Sequence, residues 1–418
     1  MKDSGIEWIG KIPANWEMLR TKHKYTNHKD VAGDDSDDYE RLALTLGGVI
    51  KRPKDDATGL QPGAFNGYQI LRKNELVFKL IDLANVSTSR VGYSPYTGIV
   101  SPAYIVLTPR NEYESKFGVY FFLSMWQREI FNHMGDYGVR SSLNASDLLN
   151  VPYPSVSHDE QKRIVQFLDR KCAEIDSVIA DTQRTIEEYK SLKQSIITEA
   201  VTKGVRGKRP MKDSGIEWVG EIPEEWECIR NVYLFRENVR EPDVDAIPLS
   251  LSQVDGLIAT DEMKESSLKT STYEGWKQVR LNDLVLNRFK GHLGVLYSAT
   301  IEGMVSFHYG VYEPLKNFDS KYFEYLYHSD IYKAILGLKS NGMTVGLQNL
   351  SNANFYSVYS VYPPIEEQRE IIDFLDAKCK EIERLIAAKL QFIAELDYYK
   401  KSIIYEYVTG KKEVPACQ

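Results

Sequence analysis

The chain contains an internal repeat, and this constrains its fold more than any other feature of the sequence. Residues 1–17 read MKDSGIEWIGKIPANWE and residues 211–227 read MKDSGIEWVGEIPEEWE, so that 13 of 17 positions are identical. A second match aligns residues 160–202 with residues 367–409, and 21 of those 43 positions are identical. We call these four stretches the frame segments. They predict one structural plan used twice in a chain of 418 residues.

The longer frame segments have the spacing of a coiled-coil seam. Apolar residues recur at alternating steps of three and four, and neither proline nor glycine interrupts either segment. A helix of about 43 residues would be roughly 65 Å long. Two such helices in one chain are expected to pack on each other. The predicted core positions are Ile164, Leu168, Ile175, Ile179 and Ile186 in the first helix, and Ile371, Leu375, Ile382, Ile386 and Ile393 in the second.

The stretches between the frame segments, roughly 18–150 and 228–360, are the variable segments, and their sequences resemble each other only weakly. Short β-rich runs alternate with turns, which predicts mixed α and β globules with cores made mostly of sheet. The runs are Leu76–Leu80, Ile99–Leu107, Leu284–Arg288 and Met304–Tyr312, and one helix is predicted in each segment, over Lys116–Met134 and Ser320–Leu338.

The sequence thus predicts four consecutive parts. Residues 1–155 form a first globule, 156–204 a long helix, 205–362 a second globule and 363–411 a second long helix. Each globule begins with, or contains near its start, one of the two shorter frame segments.

Composition and motifs exclude several classes of protein. No apolar run approaches the roughly 18 residues of a membrane span, and the N-terminus lacks the pattern of a signal peptide, so we expect a cytoplasmic protein without a membrane. Four widely spaced cysteines (Cys172, Cys228, Cys379 and Cys417) predict reduced thiols rather than a metal site. Neither a phosphate-binding loop nor a metal-binding histidine spacing is present, so no catalytic residue, metal or cofactor is predicted.

The net charge of −7 argues against a protein that coats nucleic acid through charge alone. The acidic excess lies in the second half, because residues 211–365 hold 14 basic and 21 acidic side chains. If this half of the chain binds a polyanion, it must do so through a local cluster of basic residues on its surface.

Three motifs occur in the order that is typical of a known family. These are M-K-D-S-G-I-E-W-x-G-x-I-P-x-x-W, the P-x-x-x-E-Q turn at 363–368, and helices with F-L-D-x-K-x-x-E-I. In all three the chain resembles the specificity subunit of type I restriction–modification enzymes, over its full length. The first half departs from the family's turn at 154–161, which is longer and has fewer prolines.

The resemblance implies an α+β fold: two mixed α/β globular target-recognition domains separated by two long helices that form an antiparallel coiled coil, with a pseudo-two-fold internal repeat. It implies a non-catalytic subunit that reads a bipartite, asymmetric site in double-stranded DNA. The subunit would direct two adenine methylation subunits, which use S-adenosylmethionine, and restriction subunits that use ATP and magnesium. It would hold no cofactor of its own.

The DNA contacts are predicted at the ends of strands and in glycine-containing loops. Arginine reads guanine and asparagine reads adenine, whereas lysine mostly binds phosphate. The alternative for each residue is an ordinary solvated surface charge. The candidates are Lys79, Arg90, Tyr93, Arg140 and Ser141 in the first half, and Arg288, Lys290, His292, Asn341 and Thr344 in the second.

The shorter frame segments hold four of the six tryptophans, Trp8, Trp16, Trp218 and Trp226. One interpretation is that they pack each segment against the long helices. The other is that they form a docking face for the methylation subunits.

Two other functions remain as alternatives. A metal-dependent nuclease would use Asp243, Glu262 and Lys264, whose spacing loosely matches a P-D…E-x-K pattern. A coiled-coil adaptor would have no nucleic-acid partner.

Overall fold

The computed structural model describes residues 1–56, 64–81, 90–134, 142–243, 245–253, 255–263, 274–340 and 349–415. The chain divides into two compact units. The first comprises residues 1–182 and 391–418, and the second comprises residues 183–390. The boundary falls inside both long helices, so each unit contains one globule and parts of both helices. This division cuts across the four consecutive parts predicted from the sequence.

The first unit is built around an antiparallel four-stranded sheet with the strand order β4-β11-β8-β9. The other strands form the pairs β1–β2, β3–β12, β5–β6 and β7–β10. The strands are β1 (Lys2–Asp3), β2 (Lys11–Ile12), β3 (Glu17–Arg20), β4 (Tyr25–Thr26), β5 (Leu42–Thr45), β6 (Gly48–Lys51), β7 (Gln69–Leu71), β8 (Leu76–Phe78), β9 (Val91–Tyr93), β10 (Gly98–Val100), β11 (Ile105–Pro109) and β12 (Pro152–Ser155).

The second unit repeats this plan with the order β16-β23-β20-β21 and the pairs β13–β14, β15–β24, β17–β18 and β19–β22. Its strands are β13 (Met211–Asp213), β14 (Glu221–Pro223), β15 (Glu227–Arg230), β16 (Phe235–Glu237), β17 (Leu249–Ser252), β18 (Gly256–Ala259), β19 (Lys277–Val279), β20 (Leu284–Asn287), β21 (Leu296–Ser298), β22 (Gly303–Val305), β23 (Tyr309–Pro314) and β24 (Tyr359–Tyr362). The variable segments therefore share a topology that their sequences barely show.

The helices of the globules differ from the prediction of one helix in each variable segment, and the helix predicted over Lys116–Met134 spans Glu112–Gln127 instead. The first unit has α1 (Glu112–Gln127) and α2 (Ala145–Asn150), and the second has α4 (Ser320–His328), α5 (Asp330–Leu338) and α6 (Asn352–Ser357). The helix predicted over Ser320–Leu338 is thus broken at Ser329, whose backbone is extended with φ −68° and ψ 147°. The Ser329 hydroxyl accepts a hydrogen bond from the amide of Tyr332, which makes Ser329 the N-cap of α5.

The long frame segments form α3 (His158–Lys203) and α7 (Ile365–Val408). Within each unit, the portion of α3 and the portion of α7 that belong to that unit run antiparallel to each other. In the first unit the Lys400 ammonium lies 2.6 Å from the Asp176 carboxylate. In the second unit the Lys193 ammonium lies 2.5 Å from the Glu383 carboxylate. The two pairs occupy equivalent positions of the repeat, with the roles of the two helices exchanged.

Seven of the ten predicted seam residues are buried and three are half-buried. Ile164, Leu168, Ile175 and Ile186 are buried on α3, as are Ile371, Leu375 and Ile382 on α7. Ile179, Ile386 and Ile393, nearer the middle of the helices, are half-buried. Among the described residues, no helix is both long enough and apolar enough to cross a membrane.

Each shorter frame segment packs at the end of a long helix. In the first unit the Tyr405 hydroxyl donates to the carbonyl of Trp8 at 2.8 Å, near the end of α7. Gly410 follows α7 with φ +67°, and a Cβ there would lie 2.3 Å from Cδ of Pro13. Gly204 follows α3 with φ +79°, and a Cβ there would lie 3.1 Å from the Trp226 ring. Both helices thus end at a glycine that lets a tryptophan-bearing segment approach closely.

Candidate nucleic-acid interface

Strands β8 and β20 end in the same way in the two units. The amide of Leu143 donates to the carbonyl of Leu80 at 2.9 Å, and the amide of Leu350 donates to the carbonyl of Arg288 at 2.9 Å. The segments that lead into these contacts, 135–141 and 341–348, lie outside the described residues, as do Arg140, Ser141, Asn341 and Thr344. The assignment of these four residues to DNA binding stays a prediction.

Lys79 and Arg90 lie together beyond the end of β8. The Lys79 amide donates to the carbonyl of Arg90 at 3.0 Å, and the Lys79 side chain is half-buried. The Arg90 side chain is fully buried, and its guanidinium donates to the carbonyls of Lys79 at 3.3 Å and Ile81 at 3.1 Å. The prediction that Arg90 reads a base is therefore wrong, because its donors are used inside the protein to hold the strand end.

Tyr93 lies at the opposite end of this strand pair, since it pairs with Leu76 at the start of β8. Its hydroxyl donates to the side chain of Asn74. Tyr93 also lines a cavity of about 330 Å³ together with Lys162 and Asp169 of α3. Tyr93 thus faces the long helix rather than the strand end that carries Lys79, and the structure does not bring the two predicted residues together.

Arg288 follows β20, but its side chain is held in a network inside the second unit. The guanidinium donates to the Glu237 carboxylate and, at 2.8 Å, to the side chain of Asn352. Lys277 donates to the same carboxylate at 2.8 Å. Tyr312 donates to Asn352 at 2.7 Å, and burial raises the pKa of its hydroxyl far above the ordinary value, so that it stays a donor. Arg288 thus ties β16, β20 and α6 together, and its assignment to base reading stays a prediction.

Lys290 and His292 lie in the short turn after Arg288. Lys290 is exposed, as a lysine that contacts phosphate must be. His292 is half-buried, and within the described residues its Nδ1 is enclosed without a hydrogen-bond partner. A Cβ on Gly337 of α5 would lie 3.8 Å from Cβ of His292, so this side chain packs near the helix. Of the described candidates in this unit, Lys290 presents the most accessible charge.

An exposed aromatic cluster next to Lys290 was missed by the sequence analysis. Phe289 follows Arg288 directly, and its ring centroid lies 5.6 Å from that of His308. The ring centroid of Phe307 lies 3.9 Å from that of His308. The sequence signal was a phenylalanine between two basic residues at a strand end.

The four frame tryptophans pack inside their own units. Trp16 and Trp226 are buried, and the indole of Trp226 donates to the Glu367 carboxylate at 2.8 Å. Trp8 and Trp218 are half-buried and contact Phe121 and Tyr332, with ring centroids 5.7 and 4.9 Å apart. The prediction of a docking face is therefore wrong for Trp16 and Trp226, because their rings are enclosed, and it stays a prediction for Trp8 and Trp218.

The described cysteines are protonated thiols at neutral pH. Burial raises the pKa of Cys172 and of Cys228 to about 11, and it also raises the pKa of Cys379. All three are free thiols.

We expect iodoacetamide at pH 8 to alkylate Cys172, Cys228 and Cys379 much more slowly than a free cysteine, because the thiolate is the reactive form. Peptide mass spectrometry before and after urea denaturation provides the measurement. Equal labelling of native and denatured protein would contradict the burial of these thiols.

The residues of the nuclease alternative do not form a site in the described part of the chain. Asp243 and Glu262 are exposed, and Lys264 lies outside the described residues. Among the described residues, no group of three or more His, Cys, Asp or Glu side chains is arranged to hold a metal ion.

Comparisons with known sequences and structures point to one family. The family model for the type I restriction modification DNA specificity domain matches residues 49–188 and 287–391, once in each half of the repeat. The type I restriction enzyme MjaX specificity subunit of Methanocaldococcus jannaschii is 24% identical over 237 residues, which cover 53% of each chain. The MjaVIII specificity subunit of the same organism is 25% identical over 223 residues, covering 53% of this chain and 49% of that relative. The chain thus spans about half the length of the curated relatives it matches.

Solved structures share the fold. A chain described as "Structural basis underlying complex assembly and conformational transition of the type I R-M system" has a TM-score of 0.70 at 14% identity, covering 96% of this chain and 100% of that one. The HsdS subunit from Thermoanaerobacter tengcongensis has a TM-score of 0.50 at 15% identity, with 96% and 98% covered. Because the family model matches more than half of the residues, in both halves of the repeat, the chain belongs to the family of type I restriction–modification DNA specificity domains.

Proposed function

We propose that the chain is the DNA-sequence-specificity subunit of a type I restriction–modification complex. The observation that carries this proposal is the contrast between frame and variable segments: the two units share one strand order, yet their sequences differ most in the globules. This contrast is expected if each globule reads a different sequence while the frame binds the same kind of partner twice. The MjaX and MjaVIII relatives are named as specificity subunits, which supports the assignment.

The subunit reads the two halves of a bipartite, asymmetric site in double-stranded DNA and performs no chemistry itself. Two copies of a methylation subunit bind to its two-fold frame and methylate adenines with S-adenosylmethionine. Restriction subunits that use ATP and magnesium complete the complex. The proposed place of action is the cytoplasm, where the DNA is.

Mapping of methylated adenines across the genome tests this function. In a host that carries the gene together with its methylation subunit, we expect one asymmetric motif with a fixed spacer, and deletion of the gene should abolish it. Exchanging residues 18–150 for the corresponding segment of a relative should change one half of the motif and leave the other half intact. A motif that persists after the deletion would contradict the proposal.

The adaptor alternative is tested with the purified complex. A specificity subunit should give DNA affinity that falls steeply as salt is raised, because phosphate contacts release counterions. An assembled complex without salt-dependent DNA binding would favour the adaptor.

A further inference from the structure

The aromatic cluster of the second unit consists of Phe289, Phe307 and His308. Phe289 is 43% exposed and Phe307 is 56% exposed. Their centroids lie 5.6 and 3.9 Å from that of His308, so the three rings form one contiguous surface. Exposed rings that adjoin one another, rather than being scattered singly, make this cluster a candidate binding surface.

Phe307 projects from a tight turn. It lies between the end of β22 at Val305 and the start of β23 at Tyr309, and the Tyr309 amide closes the turn by donating to the carbonyl of Ser306 at 3.1 Å. Gly275, which precedes β19, packs against this turn, since a Cβ there would lie 3.7 Å from Cβ of Phe307. A ring held at the tip of a closed turn, with His308 against it, loses little further freedom when it enters a groove.

In the first unit, the positions equivalent to Phe289 and Phe307 carry different side chains. Leu80 and Arg288 accept matching backbone hydrogen bonds, so Ile81 corresponds to Phe289. Strands β10 and β22 also correspond, which places Pro102 at the position of Phe307. Ile81 is 41% exposed, and Pro102 is exposed as well. The equivalent positions of the first unit are thus exposed and apolar but carry no aromatic ring.

Lysines lie next to the cluster and on the helix that packs against the turn following it. Lys290 is exposed next to Phe289. Lys333, whose ammonium lies 3.6 Å from the Asp330 carboxylate, packs near the turn that follows, because a Cβ on Gly294 would lie 3.1 Å from its side chain. Lys339 is exposed after α5, whose Gly337 lies beside His292 of the same turn. Apolar rings bordered by lysines fit base pairs bordered by phosphates.

We propose that Phe307, supported by His308 and Phe289, is a wedge that the second unit inserts at a base step of its half-site in duplex DNA. The inserted ring unstacks the step, and Lys290 binds the adjoining phosphate. Because unstacking is easiest at pyrimidine–purine steps, the wedge selects such a step through its deformability. This inference rests on the proposed function, since it assigns a residue of the DNA-reading surface.

The test uses the assembled methyltransferase complex and duplexes that carry the motif found by methylation mapping. The fluorescent adenine analogue 2-aminopurine replaces a base at successive positions of both half-sites. The wild-type complex should raise the fluorescence at the methylated adenine, where the methylation subunit extrudes the base. The wild-type complex should also raise the 2-aminopurine fluorescence at one further base step, which lies in only one of the two half-sites.

The variant Phe307→Ala should lose the signal at that further step and keep the signal at the methylated adenine. Its affinity for the specific duplex should fall roughly tenfold, which corresponds to about 1.4 kcal/mol, and its affinity for unrelated DNA should stay unchanged. Leu281→Ala is the matched control, because Leu281 is 59% exposed but precedes β20, at the end opposite Phe289. This control should behave like the wild type.

The outcomes separate this inference from the proposed function. A wild-type complex that binds its motif and extrudes the adenine, with the same signals in Phe307→Ala, would overturn the wedge alone. A variant complex that loses its methylation subunits instead would also overturn it and would identify the cluster as a protein interface. A wild-type complex without salt-dependent DNA binding would overturn both.

Discussion

Replacing Glu367 with alanine is expected to lower the free energy of unfolding of the second unit by about 3–5 kcal/mol, because the change leaves buried donors without their acceptor. The Glu367 side chain is 1% exposed, and one of its oxygens lies 2.5 Å from the guanidinium of Arg209. Its other oxygen accepts the indole hydrogen of Trp226 at 2.8 Å. The variant would therefore loosen the shorter frame segment from the ends of the long helices.

The repeat offers a matched control for this change. Glu160 is the equivalent residue in the first half, is half-buried, and is the third residue of α3, as Glu367 is of α7. The corresponding tryptophan, Trp16, is buried, and within the described residues its indole nitrogen has no hydrogen-bond partner. We expect Glu160→Ala to change stability by about 0.5 kcal/mol or less. Hydrogen exchange followed by mass spectrometry measures each unit separately, and equal losses in the two variants would contradict the asymmetry.

Replacing Arg288 with alanine is expected to destabilise the second unit by about 1–3 kcal/mol, because the Glu237 carboxylate loses a charged partner in a partly enclosed network. The Glu237 side chain is 17% exposed and that of Arg288 is 24% exposed. Lys277 and Asn352 remain as partners of Glu237, which limits the loss. Urea denaturation followed by fluorescence measures the effect.

Lys290→Ala is the control for Arg288, since Lys290 is exposed two residues further along the chain. It should leave the urea transition within about 0.5 kcal/mol of the wild type and should weaken DNA binding equally on all sequences. If Arg288→Ala kept full stability but relaxed one half of the DNA motif, the structural role assigned to Arg288 would be wrong.

The frame could be predicted because its signals are local. A heptad pattern such as Ile164, Leu168 and Ile175 predicts both a helix and its buried face from the local sequence alone. The repeat supports the same prediction a second time, since the pattern recurs at Ile371 and Leu375. The structural comparisons support this fold class at low sequence identity, as the match with a TM-score of 0.70 shows.

The candidate DNA residues were harder to predict because exposure depends on contacts between distant segments. Arg90 and Lys79 look alike in sequence, yet Arg90 turns inward to two backbone carbonyls near β8. Arg288 finds its partner Glu237 51 residues away. Ser329 reads as an ordinary helical residue until its capping hydrogen bond to Tyr332 is seen. For Arg90 and Arg288 the deciding interaction joins separate stretches of the chain, whereas the cap at Ser329 is a local hydrogen bond to a residue three positions further on.

The paired charges on the long helices have one more consequence. Helix α3 carries both Asp176 and Lys193, and α7 carries the equivalent residues Glu383 and Lys400. Each helix therefore carries one acidic and one basic residue, spaced so that an antiparallel copy of the same helix would pair its base with the acid and its acid with the base. Such self-complementarity is the property by which two identical subunits form an isologous interface. In this protein one polypeptide carries, on its two helices, the charge pairs that a homodimer would form between two identical helices.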